Sequence, residues 1–145
     1  MWQIKTFEQL NTSELYQIMR LRVAVFVVEQ NCPYYELDDE DLRCHHVFYT
    51  DKNAKISAYS RVFRKENHIT FGRVVVSPEC RGSGLGKRLV QEVMAFIRAT
   101  YPQKTIVIEA QQYVIPFYEA FGFKSVGGLF DLDGIPHQKM QCDSF

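Results

Sequence analysis

The apolar positions of the chain follow two different spacings, and each change of spacing marks a new element. Residues 2–7 alternate between apolar and polar side chains, which predicts a short first strand. From Leu15 to about Val28 the apolar side chains recur every three or four residues, which predicts a helix with one buried face. Asn11 and Glu14 lie just before this stretch with the spacing of a helix capping box. The predicted buried face comprises Leu15, Ile18, Met19, Val25 and Phe26.

Three β-rich runs follow, at positions 46–50, 54–64 and 68–77. The segments Asp51-Lys52-Asn53 and Lys65-Glu66-Asn67 separate them and have the composition of turns. We therefore predict an antiparallel meander of three strands.

The helical spacing returns between Leu85 and Arg98. An apolar strand at 105–110 comes after this helix, so we expect it to run parallel to the strand that precedes the helix. A short helix is predicted over 113–121, with Gly122 in the usual position after its end.

The last predicted element is a hairpin of strands 123–131 and 135–141, which turns at Asp133-Gly134. The order is thus strand, helix, three strands, helix, strand, helix and two strands. This order predicts one parallel pair of strands and several antiparallel pairs. We therefore predict an α+β fold with a central mixed, largely antiparallel sheet of about seven strands, flanked by helices.

A glycine-rich turn that carries an arginine joins the third meander strand to the second helix. Glycine lets a ligand approach the main chain closely, and the start of a helix presents unpaired N–H groups and the positive end of its dipole. An anion such as pyrophosphate suits such a turn. A turn of the same composition without a ligand is the alternative.

The glycine spacing separates this turn from two common nucleotide-binding motifs. A P-loop requires glycine at position 81 and serine or threonine at position 88, and both positions hold arginine. A dinucleotide fingerprint requires G-x-G-x-x-G, whereas Gly82, Gly84 and Gly86 occupy every second position. The pattern that fits is R-x-x-G-x-G, formed by Arg81, Gly84 and Gly86.

That pattern resembles the coenzyme A pyrophosphate loop of the GCN5-related N-acetyltransferase (GNAT) superfamily. The segment Phe117-Tyr118-Glu119-Ala120-Phe121-Gly122-Phe123 is similar to the FYE..GF segment of the same superfamily, and Gln111 lies where its members often have asparagine. A narrower similarity to the ElaA-like acyltransferases covers nearly the whole chain. It rests on residues 21–34, Gly72-Arg73-Val74, Ala110-Gln111 and Asp133-Gly134-Ile135-Pro136-His137. Leu132 departs from this branch, where we expect an acidic residue, and Glu109 is peculiar to this chain, so neither receives a role.

The resemblance implies a single N-acetyltransferase domain over 1–145, with the GNAT fold splayed at its one parallel strand pair. It also implies acetyl coenzyme A as co-substrate, with its pyrophosphate on the glycine turn and its pantetheine arm against strand residues 74–76. The predicted coenzyme-binding residues are Val74, Val75, Val76, Arg81, Gly82, Ser83, Gly84, Leu85, Gly86, Lys87, Gln111 and Phe117.

By the same resemblance, the chain transfers an acetyl group directly to a primary amine, and Tyr118 is the catalytic acid toward the departing sulfur. An ordinary buried tyrosine is the alternative. The general base is open, since several carboxylates and histidines qualify, alone or through water. Arg73 either faces the acceptor pocket or pairs with the acidic loop. The predicted substrate-binding residues are Glu29, Glu36, Asp38, His46, Arg73 and His137.

An acidic run lies inside the irregular segment 31–43. It is either a solvated loop or an electronegative wall that attracts an amine, which arrives charged because its pKa is near 10.4. Arg22 and Glu29 lie on or beside the buried helix stripe, so each is expected either to form an internal ion pair or to face the ligand site. The run comprises Glu36, Asp38, Asp39, Glu40 and Asp41.

The composition limits which classes of molecule the chain is expected to bind. The 145 residues suffice for one core, and the formal net charge of +0 gives no global field for nucleic acid or an anionic membrane. The cysteines, at positions 32, 44, 80 and 142, form no C-x-x-C pair, so no metal is expected, and without a signal-peptide pattern we expect free thiols in the cytoplasm. Apolar runs such as Val23 to Val28 are too short to span a bilayer.

The expected partner is a small-molecule or peptide amine, and the chain is expected to be a monomer or a homodimer paired through the last hairpin.

Two other functions stay open. Arg22, Val25 and Phe26 resemble the R-x-x-V-F segment of the acyl-homoserine-lactone synthases, which usually take acyl groups from a carrier protein. A docking site for that carrier should be basic, and this near-neutral chain has no obvious basic patch. The second alternative is a non-catalytic sensor that binds acyl coenzyme A, against which Tyr118 and the acidic run argue.

Overall fold

The computed structural model describes residues 1–143, and in that range eight strands form one sheet with the order β1-β2-β3-β4-β5-β8-β6, with β7 paired to β8. The strands are β1 Trp2–Thr6, β2 His45–Thr50, β3 Ile56–Arg64, β4 Ile69–Val76, β5 Thr105–Gln111, β6 Lys124–Ser125, β7 Phe130–Leu132 and β8 Ile135–Asp143. The α-helices are α1 Thr12–Arg22, α2 Leu85–Thr100 and α3 Ile115–Glu119. The predicted α+β class with a mixed sheet is confirmed, and so is the meander, because β2, β3 and β4 pair antiparallel in sequence order.

The helices cover opposite faces of the sheet. Leu89, Val93 and Ile97 of α2 are fully buried on one face, where fully burying each such side chain contributes about 1.5–3 kcal/mol. Ile18 and Leu21 of α1 pack on the other face against β3. Within residues 1–143, no helix is long and apolar enough to cross a membrane.

The sheet opens at its only parallel pair within the described residues. Strands β4 and β5 pair at a single position, Ile69 opposite Ile106, and then diverge toward their carboxyl ends. The predicted splay at the parallel pair is thereby confirmed. Beyond Ile69, β4 does not pair with β5. The main-chain N–H and C=O groups on the β5 side of β4 are therefore available to another extended chain.

The first predicted helix changes its geometry halfway. It is α-helical to Arg22 and continues as a π-helix over Val23–Glu29, where Gln30 N donates to Val25 O at 3.1 Å. Such segments occur frequently at functional sites. Hydrophobic periodicity predicted the extent of this helix and could not reveal the wider turn.

Two predictions in the second half need correction. The helix expected over 113–121 is a 3-10 turn at Gln112–Val114 followed by the short α3. The continuous strand expected over 123–131 is broken into β6 and β7, because Gly127 adopts a left-handed φ of 72° between them. The turn at Asp133-Gly134 is confirmed, with φ of 52° and 80°, and the strand after it lies between β5 and β6.

Candidate active site

The gap between β4 and β5 contains a cavity of about 760 Å³. Its walls come from β4, β5, the π-helix, α3 and the β7–β8 turn. This volume lies within the range of small-molecule and cofactor sites, which is about 300–1,000 Å³.

The glycine turn lies directly beyond the carboxyl end of β4. Gly82 and Gly84 have left-handed φ of 78° and 82°, and α2 begins at the next residue, Leu85. The first N–H groups of this 16-residue helix have no partner within the helix, and no atom lies within 4 Å of a Cβ built on Gly84. The turn therefore fits a diphosphate bound by main-chain N–H groups. Leu85 is buried in the core, so only its main chain faces the turn.

Arg81 extends from this turn toward the π-helix. Its guanidinium pairs with Glu29 at 2.9 Å, and both side chains are nearly half exposed and line the cavity. A pair this exposed is worth roughly 0–1 kcal/mol, so a diphosphate can compete with Glu29 for Arg81 at little cost.

A β-bulge interrupts β4 beside the cavity. Tyr59 lies opposite Val75 and Arg61 opposite Gly72, so two residues of β4, Arg73 and Val74, share the space facing one residue of β3. Arg73 has a left-handed φ of 50°, which is rare for a residue with a side chain. Such bulges re-aim side chains beside active sites. Here both residues of the bulge, Arg73 and Val74, line the cavity.

Tyr118 reaches the cavity from α3. Its ring packs against Phe71, Phe117 and Phe123, and only 7% of the residue is exposed. Burial, with a smaller contribution from Tyr113, raises the pKa of the Tyr118 hydroxyl. The hydroxyl therefore stays protonated at neutral pH and can donate a hydrogen bond into the cavity.

Two amides connect the sides of the cleft. The side chains of Gln30 and Gln111 donate to each other's carbonyl oxygen at 3.2 Å. This contact joins the end of the π-helix to the end of β5, both of which line the cavity.

The acidic run forms a buried ionic network with three arginines, which we call the arginine–carboxylate cluster. Arg22, which is fully buried, donates to Glu36 at 2.6 Å and to Asp41 at 2.7 Å. Its members are Arg22, Glu36, Asp38, Asp41, Arg61 and Arg73.

The other two arginines complete the network. Arg61 donates to Asp38 at 2.5 Å and to Asp41 at 3.0 Å, and Arg73 donates to Glu36 at 2.9 Å. Three guanidinium groups thus face three carboxylates. The interpretation as an electronegative wall is wrong, and the interpretation as a solvated loop is wrong for the buried Glu36 and Asp41.

The cluster perturbs two of its carboxyl groups. The hydrogen bond from Arg61 lowers the pKa of Asp38. Burial raises the pKa of Asp41, but the hydrogen bond and charge of Arg22 more than offset it, so the net pKa is below its usual value.

His46 lies behind this cluster, away from the cavity. Its ring nitrogens lie 2.6 Å from the Tyr59 hydroxyl and 3.0 Å from Asp41 O, and the residue is fully buried. Burial lowers the pKa of His46. Neither His46 nor the carboxylates of Glu36 and Asp38 line the cavity, so the structure does not bring these three predicted substrate-binding residues to it.

The cavity does bring together most of the other residues that were predicted to bind coenzyme or substrate or to act in catalysis. The predicted residues that line it are Glu29, Arg73, Val74, Val75, Val76, Arg81, Gln111, Phe117, Tyr118 and His137. Gly82, Ser83, Gly84, Gly86 and Lys87 lie in the turn or the start of α2 outside this cavity. Lys87 and Phe117 also line a second cavity of about 360 Å³.

The polar residues that line the cavity but were not predicted as site residues include Tyr34, Lys65 and His68. A signal for His68 was present, since His68, Thr70 and Gly72 alternate on one face of a strand that leads to the glycine turn. Within residues 1–143, no group of three or more His, Cys, Asp or Glu side chains is arranged to hold a metal ion.

Comparison with known proteins identifies close relatives. A family model described as an acetyltransferase (GNAT) domain matches residues 8–144. A UPF0039 protein of Schizosaccharomyces pombe is 38% identical over 141 residues, which are 96% of this chain and 94% of that protein. Protein ElaA of Escherichia coli is 37% identical over 141 residues, 94% of this chain and 92% of ElaA.

Two solved structures match over nearly the full length. The crystal structure of Escherichia coli ElaA has a TM-score of 0.92 and covers 97% of this chain and 98% of its own. The crystal structure of an acyl-CoA N-acyltransferase from Pseudomonas aeruginosa has a TM-score of 0.92 at 34% identity and covers 97% of each chain.

Proposed function

Because the chain belongs to the GNAT acetyltransferase family and to its ElaA-like branch, we propose that it transfers an acetyl group from acetyl coenzyme A to a primary amine by direct attack. Residues 1–145 act as one N-acetyltransferase domain in this proposal. The relative from Pseudomonas aeruginosa, at 34% identity, is named an acyl-CoA N-acyltransferase, which supports transfer to nitrogen.

The observation that carries the proposal is the continuity of the cleft. The cavity extends from Arg81, the residue just before Gly82 of the glycine turn, along the unpaired side of β4 to Tyr118. The turn would hold the diphosphate of coenzyme A, and the main chain of residues 74–76 would pair with the pantetheine arm. The thioester would then lie near the bulge at Arg73, with Tyr118 beside its sulfur.

The acceptor must lose a proton before it attacks, since an alkylammonium has a pKa near 10.4. His137 suits this role because it lines the cavity and its Nδ1 lies 2.8 Å from Ile135 O. An Nδ1–H that donates to that carbonyl leaves Nε2 of the neutral ring as a proton acceptor. His137 would take the proton from the amine, directly or through one water.

Transfer then exchanges one bond for another. The amine nitrogen forms a bond to the thioester carbonyl carbon, the carbon–sulfur bond breaks, and its electron pair goes to sulfur. The nitrogen then loses its second proton, which passes to the thiolate directly or through water, so that a neutral amide and a free thiol are formed. Tyr118 stabilises that sulfur by donating a hydrogen bond. Full proton transfer from Tyr118 to a thiolate, whose acid has a pKa of about 8.5, is uphill because burial raises the pKa of this tyrosine.

The activity is tested by thiol release from acetyl coenzyme A across a panel of primary amines. We expect at least one amine to increase the rate of thiol release above the amine-free rate, with a matching N-acetyl product by mass spectrometry. Thiol release equal with and without every amine would contradict the proposal, and tight coenzyme binding without release would favour the sensor function.

The coenzyme site is tested separately with Gly84→Trp. We expect the indole to occupy the space at the start of α2 and to weaken coenzyme A binding at least about 100-fold, or 2.7 kcal/mol, in isothermal titration. The matched control is Gly127→Trp, because Gly127 also has a left-handed φ and open space around its Cα but lies between β6 and β7. Equal binding by the two variants would place the diphosphate elsewhere.

A further inference from the structure

The cavity has a second charged end, opposite the glycine turn. Strand β4 runs from Ile69 to Val76, and the turn follows its carboxyl end. Lys65 and His68 lie just before its amino end, and both line the cavity. At 3.3 Å per residue, the eight residues of β4 separate these two ends by roughly 25 Å. An anion near Lys65 would therefore be distinct from the coenzyme diphosphate.

Local contacts close the turn that carries Lys65 and His68 and position the Lys65 side chain. Lys65 N donates to His68 O at 2.8 Å, which closes the turn between β3 and β4. The Lys65 ammonium lies 5.3 Å from the centre of the Phe63 ring, and Phe63 also lines the cavity. The ring thus holds the ammonium level with Thr70, the residue opposite Phe63 in β4.

A second lysine acts on the same corner. Lys139 of β8 lies opposite Glu109 of β5, and because facing residues of an antiparallel pair share a face, Lys139 is on the cavity side of the sheet. Burial lowers the pKa of His68, and the charges of Lys139 and Lys65 lower it further. We call the corner formed by Lys65, His68 and Lys139 the basic corner, and its positive charge comes from the two lysines.

One acidic residue near this corner, Glu109, lines the cavity, and Lys139 lies opposite it in the β5–β8 pair, so Lys139 offsets Glu109 and the charge of Lys65 remains. Glu36, Asp38 and Asp41 are engaged with arginines in the arginine–carboxylate cluster. Glu66, in the same turn as Lys65, does not line the cavity. Within residues 1–143, neither Lys65 nor Lys139 forms a salt bridge at 4 Å or less.

The geometry also sets the distance between the amine nitrogen of the acceptor and an anion bound at Lys65. If the acyl carbon lies near the bulge, the four residues from Thr70 to Val74 place it roughly 13 Å from the level of the Lys65 ammonium. A hydrogen-bonded carboxylate takes up about 3 Å of that distance. The acceptor nitrogen and its anion would then be about 10 Å apart.

We propose that the acceptor is an amine that carries a carboxylate about 10 Å from its nitrogen, and that Lys65 and His68 bind this carboxylate. The proposal rests on the proposed acetyl transfer to an amine. It differs from the electronegative wall that the sequence left open, because the group recognised here is an anion of the acceptor and not its amine.

The first experiment compares acceptors of one length that differ only in charge. In 8-aminooctanoate, nitrogen and carboxylate are about 10 Å apart when extended. We expect its kcat/KM to exceed that of 8-aminooctanamide and of 1,8-diaminooctane at least about tenfold, mainly through KM, and to exceed that of 4-aminobutanoate. Equal use of the acid and the amide would overturn the proposal.

The second experiment tests whether the basic corner causes the preference for the carboxylate acceptor over the amide. Lys65→Gln should reduce the preference for the acid over the amide by about tenfold, and His68→Gln should reduce it less. Lys52→Gln is the matched control, because Lys52 is an exposed lysine in the turn at the other end of β3. An unchanged preference in Lys65→Gln would overturn the proposal.

A binding measurement keeps this inference separate from the proposed activity. The products 8-acetamidooctanoate and 8-acetamidooctanamide are titrated into the protein with coenzyme A present. If no amine is acetylated but the acid binds more tightly than the amide, and Lys65→Gln removes the difference, the proposed activity fails and the carboxylate site stands. Equal binding of the two products overturns the carboxylate site.

Discussion

Replacing Arg22 with methionine should lower the free energy of unfolding by about 3–5 kcal/mol. Arg22 is fully buried and donates to Glu36 and Asp41, which are themselves nearly inaccessible to solvent. When one partner of a buried ion pair is removed, the other charge stays buried with fewer ionic contacts, and this destabilises the folded state strongly. Because Arg61 and Arg73 still contact these carboxylates, the loss should fall at the lower end of the range.

Urea denaturation measures the effect as a lower midpoint at unchanged slope. The matched control is Arg43→Met, since Arg43 is two-thirds exposed and pairs with Glu40 at 3.5 Å on the surface. We expect this control to change stability by less than about 1 kcal/mol. Equal losses in the two variants would mean that the arginine–carboxylate cluster does not stabilise the fold.

The cluster also predicts how stability depends on pH. Asp38 and Asp41 have pKa values below their usual range in the folded chain, so the unfolded chain binds more protons in acid. Their contribution is therefore present above pH of about 4 and is lost as the pH falls through the folded pKa values. In Arg22→Met, Asp41 loses a donor, so stability should fall less steeply on acidification.

The cluster shows why part of this structure was outside the reach of sequence reasoning. The acidic run was visible, but its partners Arg22, Arg61 and Arg73 lie 14 to 37 residues away from the carboxylates they contact. Nothing local distinguishes a run of carboxylates that faces water from one that folds onto distant arginines. By contrast, the meander depended on alternation and short turns, which are local features, and it was predicted correctly.

The same distinction holds for the cavity. The glycine turn and the segment around Tyr118 were found because each is a short contiguous motif. Lys65 has no motif of its own, and the alternation of His68, Thr70 and Gly72 indicated a strand face without showing that this face lines a cavity. His46 was a plausible candidate by chemistry, and only the packing of Tyr59 and Asp41 around it excludes it from the cavity.

Arg73 links the stability of the fold to the acceptor side of the site. It lines the cavity and also donates to Glu36, which Arg22 holds from the other side. The bulge that gives Arg73 its left-handed φ also places the neighbouring main chain beside the proposed thioester. Through Glu36, the buried cluster therefore contacts the side chain of a residue that lines the cavity.

Replacing Tyr118 with phenylalanine should lower kcat by about 100- to 1,000-fold, the loss typical for removing one donor aimed at charge that develops in a transition state. The change removes only the hydroxyl, and the ring keeps its packing against Phe71 and Phe123. In the proposed mechanism the hydrogen bond from Tyr118 to sulfur would strengthen as the thiolate forms, so its loss should appear in kcat more than in coenzyme binding. Steady-state kinetics with the best amine of the panel, together with isothermal titration of coenzyme A, separates the two.

Tyr113→Phe is the matched control, because Tyr113 also lines the cavity but is 74% exposed at its mouth. We expect this control to retain kcat within about threefold, since a solvent-exposed hydroxyl gives little net stabilisation. If Tyr118→Phe turned over as fast as Tyr113→Phe, Tyr118 would be a packing residue, and the sulfur would have to be stabilised by another donor. If Tyr118→Phe instead lost coenzyme affinity in proportion to kcat, the hydroxyl would contribute to binding in the ground state and not to the transfer step.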